Sequence, residues 1–197
     1  MTLKFIFILA CLCTALASYP HRSTKRDWRW LIYGLSFTAA ADYFLIIRDW
    51  HLPGVAIFIF AHACYIMRGL ETQPGRKLNP AWLAAPFAAV LVGMFLHSLL
   101  FLAALYALLF LANIITWVLA AKKTRQPKHI VMLTGLILFA ACDINVLLFN
   151  LPGHLNISPP LITFHLIWVF YLPAQVLICI SGLNTIPPKP SHYFKNH

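Results

Sequence analysis

Seven stretches of the chain are apolar over a distance long enough to cross a lipid bilayer. A membrane-spanning helix needs about 20 mostly apolar residues. Such stretches are predicted at 3–19, 28–48, 54–70, 80–97, 99–121, 129–150 and 160–182. Because 61% of the residues are hydrophobic and only 10% are charged, a soluble globular domain is excluded. The sequence predicts an all-α, polytopic transmembrane bundle of about seven helices, built as a single transmembrane domain over residues 1–197.

The boundary between the fourth and fifth stretches is the least marked, because the segment "LVGMFLHSLLFLAALYALLF" has no strong turn signal. One helix over residues 80–121 would be about 60 Å long at 1.5 Å per residue. That length is about twice the thickness of the hydrocarbon layer. We therefore expect a tight hairpin near His97-Ser98.

Basic residues indicate how the bundle is oriented. The chain has fifteen Lys and Arg against five Asp and Glu, a formal net charge of +10. Most of these cations fall between spans one and two, three and four, and five and six, or after span seven; they include Arg22, Lys25, Arg26, Arg29, Arg68, Arg76, Lys77, Lys122, Lys123, Arg125, Lys128, Lys189 and Lys195. All of these segments lie on one side, which the positive-inside rule makes cytoplasmic. We expect an external N-terminus, a cytoplasmic C-terminus and a bacterial inner membrane, and no nucleic-acid binding.

The first stretch, "MTLKFIFILACLCTALASYP", has three interpretations. A basic start, a short apolar core and "ALA" before Ser18 imitate a cleaved signal peptide over residues 1–17. Cleavage would leave the basic segment "HRSTKRDWR" outside, against the charge rule. An uncleaved first helix is favoured, with a cleaved signal peptide or a lipoprotein signal around Cys11 as the alternatives.

The five cysteines lie inside apolar stretches without the spacing of metal ligands. Buried free thiols are expected, and no metal site is predicted.

Two aspartates stand inside apolar stretches, Asp42 in "AADYFLI" and Asp143 in "AACDINVLLF". An ionised carboxylate at this depth costs several kcal/mol unless it is paired, hydrated or protonated, so such a residue is a candidate for function. Spans two and six run in the same direction, and each aspartate stands about 10 Å from the outer end of its span. The two acids are therefore predicted at matching depth.

Other polar residues are predicted in the same outer half of the bundle. They are His62 and Tyr65 in span three, His165 in span seven and Lys4 at the outer end of span one. The free energy of placing such groups within the bilayer is lowest when they are buried toward one another. The alternatives remain open: an acid that only holds helices together, a His62 whose hydrogen bonds are satisfied within the interior, and a Lys4 that extends to the interface.

Gln175 follows Pro173 and either bonds the carbonyl freed by the proline or lines a cavity.

Four segments in order resemble the signatures of the lysoplasmalogenase family of membrane hydrolases, also called the YhhN family. They are "AADYFLI", "PGVAIFIFAHACYI", "TGLILFAACDINVLLF" and "FYLPAQVLI". The matching positions are Asp42, His62, Tyr65, Asp143, Tyr171 and Gln175, and Tyr106 is a candidate match to a further tyrosine of the middle spans. The sequence departs from the family at Ala41 (usually Gly), at Cys142 (usually Ser) and at Lys4-Phe5 (usually Lys-Pro). The family usually has eight helices, so the first is expected to be missing here.

The resemblance implies an activity. Members of the family cleave the vinyl-ether bond of alkenyl lysophospholipids, giving a fatty aldehyde and a glycerophospho-base, without an organic cofactor. Asp42 and Asp143 would be the catalytic acids, while His62, Tyr65, Tyr171, Gln175 and Lys4 would bind or orient the lysophospholipid. Two neighbouring carboxyls in a medium of low dielectric constant cannot both ionise cheaply, so one would keep its proton.

The main alternative is a proton-coupled transporter or channel with Asp42, Asp143 and His62 as the relay. No inverted repeat is visible in support of it. A retinal-binding receptor would need a lysine in span seven, which has none. The sequence leaves the head-group preference and the oligomeric state open.

Overall fold

The chain is built from helices. The computed structural model describes residues 2–22, 24–73, 84–155 and 161–183, and these form seven α-helices and no β-strand element. The helices are α1 (Thr2–Ala17), α2 (Lys25–Asp42), α3 (His51–Glu71), α4 (Ala84–Phe95), α5 (Leu99–Thr124), α6 (Pro127–Leu155) and α7 (Leu161–Ile180). The prediction of an all-α transmembrane bundle of about seven helices is confirmed.

Five helices are long and apolar enough to cross a membrane. They are α2 with the π-helical turn that extends it to Ile47, α3, α5, and the greater part of α6 and α7. The other two, α1 and α4, are apolar but shorter, and part of the predicted fourth span, residues 80–83, lies outside the described residues. Large apolar side chains remain on the outside of the bundle: Phe95 is 85% exposed and Leu100 is 82% exposed. Such exposure is expected where helices face lipid rather than water.

A three-residue turn joins α4 to α5. His97 has φ 48°, in the left-handed region. The Ser98 side chain then caps α5 by accepting a hydrogen bond from the backbone N–H of Phe101 at 3.2 Å, which satisfies a donor left free in the first turn. The chain thus reverses where the length argument placed the hairpin.

Six of the helices form a closed ring. Going round it, α1 packs on α2, α2 on α3, α3 on α5, α5 on α6, α6 on α7, and α7 on α1. Helix α4 lies outside this ring, against α3 and α5. The main core fills the interior of the ring with buried side chains such as Leu31, Phe110, Leu136 and Ile178. Polar groups near the centre of the ring are thereby shielded from lipid on every side.

A buried arginine joins three helices at the end of the bundle where α2 begins. Arg68 of α3 is 0% exposed. Its Nε and Nη2 lie 3.0 and 3.1 Å from the two carboxylate oxygens of Asp27 in α2. Its Nη1 and Nη2 donate to the Oγ and the carbonyl oxygen of Ser181, just after α7, at 2.8 and 2.9 Å. Arg68 was predicted to be one of the loop cations that set the topology. In the structure, Arg68 instead lies in the interior and links helices.

Candidate functional site

A cavity of about 310 Å³ lies within the ring, and its walls come from α2, α3, α5, α6 and α7. The walls are mainly apolar, with Leu45, Val55 and Ile167 among the lining residues. Asp42 and Asp143 both line it. The two aspartates singled out in the sequence therefore face one shared space, from helices on different sides of the ring.

Asp42 is the last residue of α2, and it is 3% exposed. A π-helical turn, Tyr43–Ile47, follows it directly, and the backbone N–H of Arg48 bonds the carbonyl oxygen of Tyr43 at 3.1 Å. Such wide turns occur often at functional sites because they change the direction of side chains after a regular helix. The hydroxyl of Tyr171 in α7 donates a hydrogen bond to Oδ2 of Asp42.

Asp143 has the same type of partner. It stands in the middle of α6 and is partly buried. The hydroxyl of Tyr106 in α5 donates to its Oδ2 at 2.5 Å. Tyr106 and Tyr171 both line the cavity with their acids. The site thus contains two carboxyl–phenol pairs, one between α2 and α7 and the other between α5 and α6.

This arrangement suits proton transfer. A phenol hydroxyl that donates to a carboxylate stabilises the charged form of that carboxylate and fixes its orientation. Each tyrosine hydroxyl donates to Oδ2, so Oδ1 is the oxygen with which each acid would bond to a molecule in the cavity. Apolar walls keep bulk water away from both acids and strengthen electrostatic interactions within the cavity.

The cavity reaches the connection between α2 and α3. Asp49 and His51 line it and are both exposed, so they mark its mouth. His51 Nδ1 lies 3.7 Å from Asp49 Oδ1. Asp49 has φ 55°, a left-handed conformation that lets the chain pass from the π-helical turn into α3 within a few residues. The mouth is polar, whereas the walls below it are apolar.

Two sequence-predicted site residues in α3 lie near the cavity but do not line it. His62 is 1% exposed, and its Nδ1 lies 3.0 Å from the side-chain amide nitrogen of Asn113 in α5. Tyr65 is also 1% exposed, and its hydroxyl lies 3.3 Å from that of Thr38 in α2. Both side chains point into the packed interior of the ring, where they contact neighbouring helices.

The remaining sequence candidates are divided between the interior and the periphery. Gln175 lies one helical turn after Tyr171 on α7 and is 0% exposed. Neither polar atom of its amide has a hydrogen-bond partner among the described residues. His165 is exposed. Lys4 belongs to α1, but its side chain lies outside the part of the chain that the structure describes.

From the sequence, Tyr106 was only a candidate match to a family tyrosine, with no partner named, and Asn113 was not singled out. Both come from α5, a helix so uniformly apolar that its pattern does not show which face is buried. A signal for Asn113 was nevertheless present, because an amide in the middle of a spanning segment requires a polar partner. Its partner, His62, had already been singled out.

Fold and site together define a polytopic helical membrane protein with two acids, one buried and one partly buried, that line a central cavity. The chain belongs to the YhhN family, whose family model matches residues 1–182. The match extends over all seven helices and includes both acids and their tyrosine partners. Neither a curated protein nor a solved structure matches the chain. The family assigned from the four sequence segments is confirmed.

Proposed function

We propose that the protein is a lysoplasmalogenase-like hydrolase. It cleaves the vinyl-ether bond of alkenyl lysophospholipids and releases a fatty aldehyde and a glycerophospho-base. The observation that carries this proposal is that Asp42 and Asp143 line one apolar cavity, each bonded to a tyrosine hydroxyl. Membership of the YhhN family supports the same chemistry.

The reaction needs one acid in each protonation state. A protonated carboxyl gives its proton to the vinyl carbon farther from the ether oxygen, and the double bond shifts to form an oxocarbenium ion. A water molecule then adds to the carbon beside the oxygen, and an ionised carboxyl takes the proton that this water releases. As the carbon–oxygen bond of the resulting hemiacetal breaks, the carboxyl that is now protonated gives its proton to the departing glycerol oxygen, and the carboxyl that is now ionised takes the proton of the hemiacetal hydroxyl. The products are the aldehyde and the glycerophospho-base alcohol, and both acids return to their starting protonation states.

The two carboxyl–phenol pairs provide what these steps require. A positioned acid or base contributes typically about 10²- to 10⁴-fold to the rate. The tyrosine hydroxyls hold the carboxyl groups of Asp42 and Asp143 in place before the substrate arrives. A negative carboxylate beside the oxocarbenium ion also stabilises its positive charge in a site with few competing water molecules.

The shape of the cavity suits a lipid with one chain. Its volume of about 310 Å³ is at the lower end of the range for small-molecule sites. It would hold the ether group and neighbouring carbons, while most of the fatty chain stays among apolar helices or lipid. Asp49 and His51 are exposed and line the mouth, where the glycerol and head group would lie.

The mouth is proposed to face the external side of a bacterial inner membrane. It lies at the end of the bundle where α2 passes into α3. Exposed cations gather at the opposite end, where α2 begins and α5 ends, and include Lys25, Arg26, Lys122 and Lys123. The positive-inside rule places that basic end in the cytoplasm.

The test is to incubate the purified protein with an alkenyl lysophospholipid and with its saturated alkyl ether analogue. Aldehyde should form from the alkenyl lipid alone, because the saturated ether has no double bond to protonate. Asp42→Asn and Asp143→Asn should each lower kcat by at least about 100-fold while the bundle stays folded. Asn145→Ala is the control on α6, because its side chain bonds its own helix at Ala141 and does not line the cavity.

Near-normal turnover in either aspartate variant would remove that residue from the mechanism. Wild-type protein that releases no aldehyde from either lipid would refute the proposed activity. Aldehyde release that a chelator abolishes would indicate metal-dependent hydrolysis in place of acid–base catalysis by two carboxyls.

A further inference from the structure

Asn113 is a buried amide in the middle of α5, and it is 0% exposed. Its side-chain nitrogen lies 3.0 Å from Nδ1 of His62. The contact therefore restrains the orientation of the His62 ring.

The His62 ring packs against Tyr106, the tyrosine that holds Asp143. The two ring centroids are 5.0 Å apart at an interplanar angle of 69°. Phe110 and Phe139 enclose the same imidazole, with centroids at 4.5 and 5.7 Å. A ring enclosed in this way cannot reorient without moving its neighbours.

Tyr106 in turn has little freedom of its own. Its ring packs against His62, Phe58 and Phe110, and its hydroxyl donates to Asp143 at 2.5 Å. Among these ring neighbours, only His62 is itself fixed by a side-chain hydrogen bond to another helix. The position of the Tyr106 hydroxyl thus depends on a contact between α3 and α5 outside the cavity.

We propose that Asn113 and His62 are positioning residues that hold the Tyr106 hydroxyl on Asp143. Neither residue lines the cavity, so they act on the reaction through Tyr106 and not through the lipid. This inference rests on the proposed function only in taking Asp143 as a reacting acid. It assigns His62 a role different from orienting the substrate, and it adds Asn113 to the residues on which the site depends.

Two variants test the proposal in different ways. Asn113→Leu removes the amide at similar volume, and His62→Phe keeps an aromatic ring beside Tyr106 but loses the bond to Asn113. Each should lower kcat by about 10-fold, the usual effect of losing one buried hydrogen bond, with KM within about twofold. Thr116→Ala, three residues from Asn113, is the control, because the Thr116 hydroxyl bonds only its own helix at Ala112.

A double-mutant cycle with Tyr106→Phe separates positioning from a general effect on the fold. In the Tyr106→Phe background, Asn113→Leu and His62→Phe should each lower kcat by less than about a further twofold. The reason is that the effects of residues that act through the same hydroxyl group are not additive. The same 10-fold loss in both backgrounds would overturn the proposal.

A second measurement needs no turnover. The Tyr106 ring carbon that bears the hydroxyl can be observed by NMR in protein made with labelled tyrosine, and assigned by its loss in Tyr106→Phe. Its resonance should move in Asn113→Leu and in His62→Phe but stay in place in Thr116→Ala. A resonance unchanged in the first two variants would overturn the positioning role. If the wild-type protein releases no aldehyde but the resonance still moves in Asn113→Leu and His62→Phe, the proposed activity is refuted and the positioning role of Asn113 and His62 is supported.

Discussion

The buried ion pair between Arg68 and Asp27 predicts a large loss of stability when one partner is neutralised. Both side chains are almost fully buried, at 1% and 4% exposure. The substitution Asp27→Asn keeps the shape of the side chain but leaves the guanidinium without its counter-ion. Breaking a buried pair from one side typically costs about 3–5 kcal/mol. Ser181 continues to accept two hydrogen bonds from Arg68, so we expect a value near the lower limit.

The free energy of unfolding can be measured in mixed micelles titrated with sodium dodecyl sulfate. Asp27→Asn should lower it by about 3 kcal/mol. The double variant Asp27→Asn/Arg68→Met should lose less than the sum of the two single variants, because it leaves no unpaired charge in the interior. Asp27 is fifteen residues before Asp42, about 22 Å along α2, so the folded fraction of Asp27→Asn should keep wild-type kcat. Asp27→Asn protein as stable as wild type, or additive losses in the double variant, would refute this reasoning.

Two further predictions concern close contacts within the ring. Gly34→Ala should destabilise the bundle by about 1–3 kcal/mol, because the added Cβ would lie 2.2 Å from the buried Tyr65 ring; Gly135→Ala, with nearest atoms at 3.1 Å or more, should cost less in the same titration. Tyr171→Phe and Tyr106→Phe should each lower kcat by about 10- to 100-fold, because each removes a hydrogen bond to an acid. Unchanged kcat in both tyrosine variants would show that the acids work without the phenols.

Much of the fold follows from the sequence because its cause is local. Apolar stretches longer than the bilayer thickness predict helices, and the length of residues 80–121 predicts the reversal at His97-Ser98. The π-helical turn after Asp42 could not be predicted, since nothing in "YFLII" distinguishes it from a continuing α-helix. The burial of Arg68 was also missed, because a basic residue near the end of a span resembles a topology signal until its partner on another helix is known.

The site shows the same limit at the level of single residues. Spacing places Asp42 and Asp143 at similar depth, but helical periodicity carries no information on which helices become neighbours. The packing of the whole ring decides which tyrosine reaches each acid. Tyr106 of α5 reaches Asp143 of the adjacent helix α6, and Tyr171 of α7 reaches Asp42 of α2, although α1 lies between α7 and α2 in the ring. This packing cannot be read from one helix alone. It also turns His62 and Tyr65 toward interior partners, Asn113 and Thr38, in place of the cavity.

Protonation of the vinyl carbon by a carboxyl in the cavity can be measured from the hydrogen isotope that the aldehyde carries. The alkenyl lysophospholipid is hydrolysed in D₂O, and the aldehyde is trapped at once and analysed by mass spectrometry. We expect one deuterium on the carbon next to the carbonyl in every aldehyde molecule, and no aldehyde above background from Asp42→Asn or Asp143→Asn. Free aldehyde incubated with the protein corrects for later exchange. Aldehyde released without deuterium on that carbon would show that the vinyl carbon is not protonated during hydrolysis.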